Sequence, residues 1–149
     1  HAEMRTWLGV GKRVARLVFV DALALLPGEQ GQGIVQRAAP YETTALATGP
    51  TKAEAERRLC ADLSPALRAW ALARYTLHPI AALEAPMELG TFWEQSWPAT
   101  VIRCTHSVNP PAAHQRRTAE LLHAAWHALE TGHYPMLSAP EALTALLVA

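Results

Sequence analysis

At 149 residues, half of them apolar, the chain is long enough to bury one hydrophobic core. Thirteen Lys and Arg balance thirteen Asp and Glu, so no basic field marks it as a nucleic-acid binder. No apolar run approaches the roughly 18 residues of a membrane-spanning helix, so no membrane role is expected.

The opening stretch, "HAEMRTWLGVGKRVARL", scatters its charges and has no uninterrupted apolar centre, so it does not read as a signal peptide. The two cysteines, Cys60 and Cys104, have neither metal-ligand nor redox-pair spacing and fit a reducing compartment. A cytoplasmic protein is the expectation.

Leu17 to Val20 is a short unbroken run of β-branched, aromatic and aliphatic residues, the pattern of a strand buried on both faces of a parallel sheet. Asp21 ends it. The Gly/Gln-rich stretch that follows opens an irregular middle. "TKAEAERRLCADL" and "SPALRAWALARY" predict helices there, the first opened by a Thr51/Glu54 capping box. The prolines of "TLHPIAALEAPMELG" forbid a long helix. "ATVIRCT", from Ala99 to Thr105, repeats the strand pattern, and "HALE" before Thr131 is a weaker third case. Between them, Ala119, Leu122 and Trp126 recur at helical spacing, with Arg116, Arg117 and Glu120 on the wet side. A final helix is predicted from a Ser138/Glu141 capping box with Pro140 in its first turn.

Strand, helix, strand, helix is the signature of an α/β protein. Three parallel strands with an uncovered edge make a poor fold alone, so they are expected to be the later part of a larger sheet. Residues 1–26 would supply a core helix and strand, 27–96 a helical lid insertion, and 97–149 the C-terminal α/β core.

"RVARLVFVDALAL", "LHPIAALEAPMEL", "ATVIRCTHSVNPP" and "LETGHYPMLSAPEAL" together resemble the C-terminal half of an α/β-hydrolase, in the esterase and hydroxynitrile-lyase-like subgroup. The resemblance runs from Arg13 to the end of the chain, and "TGHYPMLSAPEAL" is its most specific piece. It implies a doubly wound, mostly parallel sheet with a helical lid, and acyl or carbonyl chemistry by a nucleophile, an acid and a histidine in that chain order. His133, in the G-H turn before the last helix, is then the general base. The plain alternative is a loop histidine that caps its turn.

In the resembled family an aspartate follows the strand matching "VIRCT", but "CTHSVNPP" places Ser107 there. The chain holds two aspartates. Asp62 falls in the lid, far from any strand end. Asp21 falls at the carboxyl end of a core strand, where α/β sheets gather their sites. It is the candidate acid, against a purely structural role in turning the chain; Ser107 or Asn109 orienting His133 is the fallback.

None of Ser64, Ser96, Ser107 and Ser138 lies in a G-x-S-x-G nucleophile elbow. Two explanations are open. The elbow belongs to a preceding segment or companion polypeptide outside this chain, or "HAEM" is a degenerate elbow with Ala2 in place of serine. The interval from Ala2 to Leu17 is shorter than the resemblance implies after an elbow, which favours the first. Trp70, Tyr75, Trp93 and Trp97, with His78, are candidates to line a substrate pocket, or else pack lid on core. His123 and His127 are four apart but lack an acidic third ligand, so no metal is expected, and no cofactor. The expected activity is esterase-type hydrolysis of a small-molecule ester or related carbonyl substrate. The alternatives are a non-hydrolytic cyclase or lyase of natural-product biosynthesis, or a catalytically dead binding subunit.

Overall fold

The computed structural model describes residues 14–35 and 41–149. The elbow-like "HAEM" and any core helix ahead of the first strand lie outside the described residues.

Strand β1 (Leu17–Val20), β5 (Ala99–Cys104) and β6 (Ala125–Leu129) form a three-stranded parallel sheet in the order β1-β5-β6. In register, Val20 stands beside Ile102, and Ile102 beside His127. The central strand carries the core: Val101, Ile102 and Cys104 are buried, as continuous apolar runs in parallel sheets should be. β1 is half-buried throughout and, among the described residues, pairs on one side only. The first two strands thus match their predicted ranges. The third starts earlier than predicted, so Trp126 lies on β6 and not on the preceding helix, where its spacing had placed it.

Between β1 and β5 runs the insertion. It begins with one turn of helix, α1 (Gly31–Ile34). Next comes a small antiparallel sheet of β2 (Tyr41–Thr43), β3 (Ala47–Pro50) and β4 (His78–Pro79), which the sequence pattern did not predict. Helices α2 (Lys52–Leu59) and α3 (Pro65–Ala73) branch from it, followed by α4 (Ile80–Glu84) and a 3-10 turn at Phe92–Glu94. Thr51 caps α2 by accepting from the Glu54 amide at 3.3 Å. The reciprocal half of the box does not form, because the Glu54 carboxylate is taken by Arg57 and Arg58.

Ser64 caps α3, and Arg68 of α3 donates to the carbonyls of Cys60, Ala61 and Leu63. One guanidinium thereby ties together three carbonyls of the segment between α2 and α3 and fixes the turn that holds Asp62.

After β5, helix α5 (Ala112–Leu121) packs on the central strand, burying His114, Gln115, Thr118 and Ala119. A face this polar needs internal partners. His114 Nε2 accepts from the Ala24 amide at 3.1 Å, and the Thr118 hydroxyl donates to the His114 carbonyl. The chain ends in α6 (Pro135–Ser138) and α7 (Pro140–Val148). The predicted Ser138 capping box does not form: Ala139 is the N-cap of α7, and the Ser138 hydroxyl donates to the Tyr134 carbonyl. The preceding turn of helix has claimed that side chain. Among the described residues, no helix is long and apolar enough to cross a membrane.

Candidate active site

Asp21 follows the last residue of β1 and adopts φ +43°, in the left-handed region where a short polar side chain is tolerated best. Its amide donates to the Ile102 carbonyl at 2.8 Å, so the chain leaves the sheet with its last ladder bond made. The side chain is fully buried.

On the other side of β5, the segment after β6 turns through Thr131 and Gly132 into His133. The His106 amide donates to the Thr131 carbonyl, tying this turn to the segment after β5. The Gly132 amide donates to Asp62 Oδ2 at 2.6 Å. Asp62 was expected to lie away from the strand ends; it is remote in sequence, yet in space it grips the residue before His133. A Cβ at position 132 would lie 2.6 Å from Asp62 Oδ1, so any larger residue there displaces the carboxylate that holds the turn.

These two turns bring His133 Nδ1 to 2.7 Å from Asp21 Oδ2. A carboxylate only accepts, so Nδ1 donates to it, and the lone pair of the neutral ring is then on Nε2. The ring is one-third exposed, and Nδ1 makes its only side-chain hydrogen bond among the described residues. The second oxygen of Asp21 accepts from Gln115 Nε2 at 2.8 Å. Tyr134, whose phenol burial pushes above the ordinary tyrosine range, packs beside the imidazole with ring centroids 5.3 Å apart.

One fallback partner is engaged elsewhere. The Ser107 hydroxyl donates to the Asn109 carbonyl at 2.8 Å, inside its own turn, and the imidazole bonds to Asp21 instead. Burial pushes the Cys104 thiol up, so the cysteine at the end of the central strand is no thiolate at neutral pH.

The aromatic candidates spread over the insertion. Trp93 donates to the Leu25 carbonyl and Trp97 to the Phe92 carbonyl, and Phe92 contacts both indoles. This cluster staples the end of the insertion to the loop after Asp21. Tyr75 donates to the Pro50 carbonyl at 2.7 Å; burial first, then Tyr134, pushes its phenol up. Trp70 is half-exposed, with the Arg74 guanidinium 4.4 Å from its ring centroid, and His78 is exposed on β4. His123 closes α5 at φ +48° while His127 lies on β6, so the two histidines do not share a helix face.

Sequence reasoning reached Asp21 and His133 but missed Gln115 and the grip of Asp62 on Gly132. Both are contacts across 70 or more residues, and neither leaves a spacing signal.

No family model matches the sequence, and no curated protein matches it at significant similarity. Solved structures do share its fold. An extracellular α/β-hydrolase from a Paenibacillus species superposes with a TM-score of 0.76 at 15% identity; it is described as sharing structural and functional homology with tobacco salicylic acid binding protein 2. A histidine-to-alanine mutant of polyneuridine aldehyde esterase superposes with a TM-score of 0.74 at 13% identity. In each case the match covers 97% of this chain and 65% of the other, so the chain spans just under two thirds of their length. The chain has the α/β-hydrolase fold, in part: a parallel sheet, its helices and the long insertion between β1 and β5.

Proposed function

We propose that the chain carries the histidine and the acid of an esterase-type active site acting on a small-molecule ester. One observation carries the proposal: a buried carboxylate from the end of one parallel strand lies 2.7 Å from the imidazole that follows another, within an α/β-hydrolase fold. In a hydrolase of that fold, the Nε2 lone pair takes the proton of a serine hydroxyl as its oxygen attacks the ester carbonyl. The imidazolium is stabilised by Asp21 and returns the proton to the departing alcohol, leaving an acyl-serine. Water then repeats the cycle, with His133 again the base, and releases the acid.

The serine of this scheme comes from outside the 149 residues. In support, none of the four serines lies in an elbow pattern, and none bonds to His133 among the described residues. The side of β1 left unpaired among the described residues is where a further strand would bring the elbow beside Asp21.

Labelling with a serine-reactive fluorophosphonate, followed by peptide mapping, tests this. A labelled serine on an accompanying segment or polypeptide, lost in His133→Ala, is expected. A folded protein with substrate turnover but no labelling would overturn hydrolysis and leave the cyclase or lyase alternative.

A further inference from the structure

Each oxygen of the buried Asp21 carboxylate has one side-chain partner. Oδ2 meets His133, and Oδ1 meets Gln115 Nε2. Gln115 is itself buried on α5, and its Nε2 also donates to the Pro110 carbonyl at 2.9 Å. With two acceptors facing Nε2, the amide orientation is settled: flipped, Oε1 would press against a carboxylate and a carbonyl.

The arrangement leaves Oε1 buried without a partner among the described residues. An orphaned carbonyl oxygen in the interior is unfavourable, and a methionine of similar size would leave none. Packing therefore does not account for a glutamine here. What the amide supplies is a donor to a carboxylate oxygen that would otherwise be buried unpaired.

We propose that Gln115 is a positioning residue for the catalytic histidine. By holding Oδ1 against an amide anchored on Pro110, it fixes the Asp21 carboxylate so that Oδ2 lies in line with the His133 Nδ1 proton. The effect on rate rests on the base role of His133 proposed above; the effect on the hydrogen bond does not.

The test observes that hydrogen bond in the full chain, through the NMR signal of the His133 Nδ1 proton after 15N-histidine labelling. A proton shared with a carboxylate resonates far downfield of an ordinary imidazole N–H. Gln115→Met keeps the size and helix preference but donates nothing. It is expected to move the resonance upfield or broaden it by solvent exchange. It should also slow phosphonate labelling roughly ten- to hundredfold, the rate equivalent of one hydrogen bond to a charged group. Gln115→Leu, which also donates nothing to Oδ1, is expected to act likewise and serves if the methionine variant does not fold. A native resonance and native labelling rate in the folded variants would overturn the proposal. If the native protein does not label at all while the resonance still moves, the esterase reading fails and the positioning role stands.

Discussion

The Asp62 carboxylate of the insertion accepts the Gly132 amide proton at 2.6 Å, one residue before His133. The turn held by Arg68 of α3 is thereby coupled to the turn that presents the imidazole. Through this contact the insertion helps to set where His133 stands.

Gly132→Ala tests that coupling. The added methyl meets Asp62 Oδ1 at 2.6 Å and Cγ at 3.0 Å, so the carboxylate must shift and its bond to the Gly132 amide is lost or strained. A loss of about 1 to 3 kcal/mol in denaturant unfolding is expected. Adding Asp62→Ala removes the obstacle, so the alanine at 132 should cost less in that background. Strictly additive losses would show that the contact does not set the turn.

Stability should depend on His114 as the solution turns acidic. Its Nε2 faces the Ala24 amide and its Nδ1 lies 3.1 Å from Arg117 Nη2, both of them donors, so an added ring proton meets no acceptor. Burial first, then Arg117, lowers its pKa from 6.5. The unfolded chain takes up this proton near 6.5 and the folded chain resists it. The stabilisation is complete above 6.5 and declines as pH falls towards the folded value. Further down, Glu29, whose carboxyl is held below 4.5 by its bidentate bond to Arg117, loses its contribution as pH falls below 4.5. Urea titrations across pH should show both declines, the first absent in His114→Gln; parallel curves for the two proteins would contradict the assignment.

Ile102 sits at the centre of the sheet, between Val20 and His127, and is wholly buried. Ile102→Ala should cost about 2 to 5 kcal/mol in chemical denaturation, the range for truncating a large core side chain. A loss under 1 kcal/mol would mean that the core lies elsewhere.

The sheet was legible because its strands are short apolar runs with nowhere to go but the interior, and Asp21 stands out as a charge at the end of one. The G-H turn before a proline-started helix marked His133. The antiparallel sheet leaves no such mark, because "YETTALATGP" shows no apolar alternation and two of its strands span three residues or fewer. Trp126 fits the helical and the extended period equally well, and only the end of α5 at Leu121 decides. The capping box at Ser138 failed because a turn of helix arrives there first. Gln115 was invisible for a deeper reason: its partner is 94 residues away, and a glutamine on a helix ordinarily faces water.

The most direct measurement is the kcat of Asp21→Asn for a short aryl ester, taken with whatever polypeptide supplies the serine. Asparagine tolerates the φ of +43° at this position, so the fold should survive. It cannot stabilise an imidazolium, and it favours the wrong tautomer at His133. A fall of about ten-thousandfold is expected. Turnover at the native rate in a folded Asp21→Asn protein would contradict the account.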